Sequence, residues 1–194
     1  PPLWTLINTG LLLGVARCLG LNLGFCLIAV LCFALSPLTQ NLHGAGCIDH
    51  HFAELSAVLL ALWSALWWSQ CAGSRARSIV LGCVLGAVTV LHNGLFILQL
   101  ALLATMAREW LFAEKSASVA DNVPAAMAID WVGVRIVAVT LVAAQGLALL
   151  PSQPFQRGLF AYELLSWFHL YIAFCSAAVL VFMSLWRLSI ASFV

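Results

Sequence analysis

Apolar stretches of membrane-crossing length recur from one end of this chain to the other, and they restrict its fold more than any single motif does. A bilayer core takes about 20 apolar residues in helical form, somewhat fewer where flanking side chains snorkel or the span is locally thin. Seven stretches qualify, from Leu3 to Val15, Leu21 to Leu38, Phe52 to Cys71, Ile79 to Leu91, Leu95 to Ala107, Trp131 to Leu150 and His169 to Trp186, of which the first, fourth and fifth are short. Hydrophobic residues make up 64% of the chain and charged residues 8%, with a mean hydropathy of +1.07. A soluble domain carries about 25% charged residues. The expected fold is therefore all-α, a polytopic transmembrane helical bundle of about seven spans forming a single domain over residues 1–194.

The stretch from Ile79 to Met106 reads as one long tilted helix or as two helices broken at His92-Asn93-Gly94. With the break, Arg17, Arg75, Arg77, Arg108, Lys115 and Arg187 all fall on one side, leaving only Arg157 opposite and Arg135 within a span. The positive-inside rule assigns that basic side to the cytoplasm. A single long helix moves Arg108 and Lys115 across and weakens the asymmetry, so the broken form is favoured. All five histidines, His43, His50, His51, His92 and His169, then lie at or near the non-cytoplasmic face with Asp49, Glu54 and Glu163. Glu109, Glu114, Asp121 and Asp130 fall on the cytoplasmic side, where residues 113–125 are expected to form a loop.

A formal net charge of +1 gives no pointer to nucleic acid. The seven cysteines show no CxxC or paired spacing and read as small apolar helix residues rather than disulfides or metal ligands. Trp131, Trp167 and Trp186 near span ends, with Trp63, Trp67 and Trp68 on the third span, fit an aromatic belt. Pro1-Pro2 opens the chain without a basic region before a cleavage site, so no signal peptide is expected, and the natural protein is expected to continue beyond both ends.

One polar cluster stands out in this apolar background: GCIDHHFAEL, with Asp49, His50, His51 and Glu54. Ionisable groups beside membrane spans are costly and are kept mainly for chemistry, ion handling or a water-filled cavity. Asp49 is well placed to cap the third span, satisfying free amides at its start. Capping requires neither two histidines nor a further acid. On a helix beginning near Asp49, His50 and Glu54 are four apart and His51 and Glu54 three apart, so Glu54 can approach either ring. The helix N-terminus adds partial positive charge and exposed amides, which suit phosphate or another anion. Carboxylates in oxygen-rich surroundings favour Mg²⁺ or Mn²⁺, whereas converging imidazoles favour zinc, copper or iron, and the residues leave both open.

An apolar span ending in Ser36-Pro37, a short polar loop, the run from Gly46 to Glu54 and a further apolar span together resemble the second acidic motif of oligosaccharyltransferase catalytic subunits. These are membrane glycosyltransferases of the GT-C fold, and the archaeal and bacterial members are the most similar. The resemblance covers about ten residues in motif and Leu21 to Met106 in pattern. It implies that Asp49 helps bind a divalent cation, Mg²⁺ or Mn²⁺, which neutralises a lipid-linked pyrophosphate, and that His50 and His51 lie close to the donor phosphates. Glu163, in PSQPFQRGLFAYELLSWFH, matches the acid of a later external loop, so Asp49 and Glu163 are the implied catalytic pair and the implied metal ligands; Glu54, on the same helix turn as the histidines, is a further candidate metal ligand by its spacing. Arg157 is a candidate bidentate phosphate contact or an ordinary interfacial snorkeller. The implied reaction is sugar transfer from a polyprenyl-phosphate-linked donor at the extracytoplasmic face of a prokaryotic plasma membrane.

Within these residues nothing upstream of Asp49 matches the family's first acidic motif, and no stretch matches its soluble C-terminal domain or tryptophan-rich acceptor motif. The resemblance thus implies a fragment of a longer GT-C protein, or a homologue that kept the scaffold and part of the site. A reading from another class is a non-catalytic subunit of a larger membrane complex, with histidines binding haem, a transition metal or pigment. His92 and His169 are the pair available for it. Transport through a polar cavity wants ionisable groups near mid-membrane, and Arg135 alone fits; pairing with Asp130 or snorkelling explains that residue as well.

Overall fold

The computed structural model describes residues 2–37, 39, 51–71, 73–118 and 130–186. Its helices are α1 (Pro2–Cys18), α2 (Leu23–Leu35), α3 (His51–Ser69), α4 (Arg75–Ala87), α5 (Ile97–Ser118), α6 (Trp131–Leu149), the single turn α7 (Gln153–Gln156) and α8 (Trp167–Leu185). Two 3₁₀ turns, Val88–Val90 and Asn93–Phe96, join α4 to α5, and no strand occurs among the described residues. Three helical stretches, Asn93–Leu111, Trp131–Leu149 and Trp167–Leu185, are long and apolar enough to cross a membrane. Leu3–Cys18, Leu23–Leu35 and Ala53–Ser69 are apolar but shorter.

The chain divides into two compact units, residues 1–67 and 68–194. The division falls beside the polar stretch Ser69-Gln70-Cys71, close to Gly73 with its φ of +86°.

In the first unit α1 and α2 form a hairpin whose turn is written in the sequence. Gly20, at φ +78°, takes the left-handed position that ends α1. Its N–H donates to Arg17 O at 3.0 Å and that of Leu21 to Ala16 O at 3.1 Å, the paired bonds that satisfy the last carbonyls of a helix. Asn22 then caps α2, accepting from Phe25 N–H at 3.0 Å. Two buried polar residues meet where α1 faces α3: Ser56 Oγ donates to Asn8 Oδ1.

The second unit is built on the pairing of α4 with α6. Gly82 and Gly86, four residues apart on α4, let the two backbones touch. A Cβ on Gly82 would lie 2.6 Å from Val137 O, and one on Gly86 2.5 Å from Leu141 O. Small residues at this spacing are the usual device for close helix packing in lipid, where apolar burial supplies little driving force. Leu81, Leu85, Val134, Val137 and Leu141 fill the seam, and α8 adds Ala173 and Leu180 to the same core.

The seam also holds polar side chains. Gln145 Nε2 donates to Thr89 Oγ1 at 2.8 Å, and Gln99 Nε2 donates to Leu85 O at 3.4 Å, with all three side chains buried. Helix breaks between α4 and α5: His92 is extended (φ −158°, ψ 133°) and caps the following turn, its Nδ1 accepting from Gly94 N–H at 3.3 Å. The interruption thus coincides with the His92-Asn93-Gly94 signal. Residues 113–118 of the expected loop at 113–125 continue α5, since Ala113-Glu114-Lys115 are strong helix formers with no glycine or proline before Pro124. Residues 119–125 lie outside the described residues.

Candidate functional site

Asp49 and His50, two of the four polar residues in the GCIDHHFAEL cluster, lie outside the described residues, as do His43 and Cys47. The other two open α3. His51 is the first residue of that helix and Glu54 stands in its first turn, where the helix dipole favours a carboxylate. Their side chains meet: His51 Nδ1 and Glu54 Oε2 are 2.8 Å apart. The His51 side chain is 53% exposed and that of Glu54 21%, so the carboxylate sits on the packed side of the pair and the ring on the open side.

An ionised carboxylate only accepts hydrogen bonds, so Nδ1 carries the proton donated to Glu54. In the neutral ring Nε2 is then the basic nitrogen, the one able to ligate a metal or accept a proton. This is how carboxylates commonly orient metal-bound histidines. Here Glu54 Oε2 is the carboxylate oxygen set against the His51 ring. An imidazole and a carboxylate are both group types that divalent cations accept as ligands. Among the described residues no three histidine, cysteine or acidic side chains come together as a metal cluster.

Within the second unit the remaining candidates gather at the end of the bundle where α6 stops and α8 starts. Glu163 is exposed, and its main-chain carbonyl accepts from Asn93 Nδ2. Glu163 borders an open depression of about 390 Å³ lined also by Asn93, Ser152, Gln153, Pro154 and Leu164. Nearby, Trp167 Nε1 donates to Phe155 O at 3.0 Å. Arg157 closes the one-turn helix α7 through its main chain, its N–H donating to Gln153 O, and its side chain is exposed.

The two histidines considered as facing ligands differ in environment. His92 is exposed and caps a turn. His169 is fully buried, packed against Phe96 and Phe168 with ring centroids at 6.1 and 5.4 Å. It belongs to a capping box at the start of α8: Ser166 Oγ accepts from Phe168 N–H, and His169 Nδ1 accepts from Ser166 N–H at 3.5 Å. The Ser-x-x-His spacing before an apolar run was the available signal for this structural role.

Arg135 does not pair with Asp130. Arg135 Nε donates to Trp131 O at 3.4 Å, while Asp130 caps α6 by accepting from Val132 N–H at 3.1 Å. A cap at the helix start draws the carboxylate toward the free amides and away from the arginine one turn on. The chain matches no family model, no curated protein and no solved structure.

Proposed function

We propose that this chain is the transmembrane part, or a homologue of part, of a GT-C membrane glycosyltransferase that transfers sugar from a polyprenyl-phosphate-linked donor at the extracytoplasmic face. The observation that carries the reading is the His51–Glu54 pair at the head of an apolar helix, 2.8 Å between ring and carboxylate. It falls in the part of the sequence that resembles the family's second acidic motif, Gly46 to Glu54. A helix start offers free amides and positive potential to a phosphate, and an oriented imidazole adds a ligand or a donor beside it.

In this reading Asp49, with His51 held by Glu54, binds the divalent cation at the donor phosphates, and His50 lies against the same phosphates. A bound Mg²⁺ or Mn²⁺ supplies charge stabilisation to the departing phosphate. Glu163 is the candidate for the carboxylate that orients or deprotonates the acceptor nucleophile. Arg157 supplies a cation near the membrane surface.

The haem or pigment reading draws less support, because His169 is engaged in a helix cap and closely packed by aromatic rings. The transferase reading is tested by Mn²⁺-dependent binding of a polyprenyl-phosphate sugar to the full chain in detergent or vesicles. Binding that Asp49→Ala abolishes supports it; a visible absorption band without donor binding favours the alternative.

A further inference from the structure

Between the end of α6 at Leu149 and the start of α8 at Trp167 the chain has only the single turn α7, yet it is pinned along its length. Ser152 Oγ donates to Leu165 O, Ser166 Oγ to Ala161 O at 2.6 Å, and Trp167 N–H to Leu159 O at 3.2 Å. This fixed loop turns large apolar side chains outward. Phe160 is 62% exposed and Tyr162 63%, with Leu159, Leu164 and Trp167 each 45% exposed. A cluster of exposed large apolar side chains in one short segment marks an interaction surface.

What covers it follows from its continuity with α8. The Phe160 ring packs edge-on against Tyr171 at 5.9 Å. Tyr171 and Phe174 point outward from that helix, each 56% exposed, on a stretch long and apolar enough to cross a membrane. Phe160 therefore extends the outward apolar face of α8. Both ends of the segment join helices long and apolar enough to cross a membrane, which would hold it at the boundary of a bilayer that they span.

We propose that residues 150–167 form an interfacial membrane element, with Leu159, Phe160, Tyr162 and Leu164 lodged among the acyl carbons nearest the headgroups and Arg157 at the level of the lipid phosphates. The occupant is lipid. Aromatic rings with polar tips settle at this depth, and an arginine side chain reaches from it to the phosphates. The proposal is independent of the transferase reading and rests on α6 and α8 crossing the bilayer.

The test encodes an environment-sensitive fluorescent amino acid at position 160, 162 or 174 of the full chain, each in a separate protein, reconstituted in phosphatidylcholine–phosphatidylglycerol vesicles. Nitroxide-bearing acyl chains are expected to reduce emission from 160 and 162 at least twofold, while aqueous iodide changes it little. Iodide quenching without nitroxide quenching would place the loop in water and overturn the proposal. Protection from both quenchers would put protein over it and overturn it equally. Position 174 separates the two levels: if lipid nitroxide leaves it unquenched, α8 is not in the bilayer and the proposal falls with that reading. Because 160 and 162 are tested separately, a variant that fails to insert leaves the other to decide.

Discussion

Gln145 on α6 donates a hydrogen bond to Thr89, 56 residues earlier in the chain, at 2.8 Å between two fully buried side chains. Inside an apolar seam such a bond ties two segments together, because the alternative for either group is an unpaired polar atom.

A double-mutant cycle measures that link. Thr89→Val and Gln145→Leu should each destabilise the second unit, and the pair should show a coupling of about 0.6 kcal/mol, at most about 2 kcal/mol. Reversible unfolding in mixed micelles reads it; strict additivity would mean that the bond contributes nothing.

Gly86→Val should be far more damaging. Its Cβ would stand 2.5 Å from Leu141 O and 2.8 Å from Gln145 N, both main-chain atoms that move only if α6 moves. Overpacking of this kind costs about 1–3 kcal/mol or more. Gly146→Val is the control, since nothing lies within 4 Å of a Cβ there. Equal thermal stability of the two variants would contradict the close seam.

Ser166→Ala should cost about 1 kcal/mol, the usual value of a helix N-cap. The hydroxyl accepts from the N–H groups of Phe168 and Ala161 and donates to Ala161 O, so its loss frees the head of α8 and the loop before it together. Hydrogen exchange at Phe168 and Ala161 amides reports this directly, and unchanged protection would show that the cap is dispensable.

Helical class and membrane character were legible because apolar runs and sparse charge leave few other folds open. His92-Asn93-Gly94 was legible as a break because polar and glycine residues interrupt an apolar run there, and the backbone is extended at His92. The contact between His51 and Glu54 followed from their spacing on a helix. Other features depend on partners that a single stretch of chain does not contain. Gly82 and Gly86 carry the G-x-x-x-G spacing, but only α6 shows which face it serves. His169 reads as a ligand or an interfacial residue until Ser166 and the aromatic rings around it are seen. Arg135 and Asp130 sit at a plausible pairing distance in sequence, and the free amides at the start of α6 take the aspartate instead.

Glu54→Gln tests whether the carboxylate orients His51. The amide keeps the shape but loses the charge that holds the proton on Nδ1, and removal of such a partner typically weakens metal binding by about 10-fold to 100-fold. Mn²⁺ titration of the full chain by electron paramagnetic resonance should show a loss of that size, with the helical content intact. An unchanged Kd would remove Glu54 and His51 from the site.

The most direct test of the account is Mn²⁺-dependent binding of a polyprenyl-phosphate sugar to the full chain with and without Asp49→Ala. Saturable binding by the natural chain is expected, lost on chelation and lost in the variant while the protein still inserts into vesicles. Donor binding that survives Asp49→Ala unchanged would contradict it.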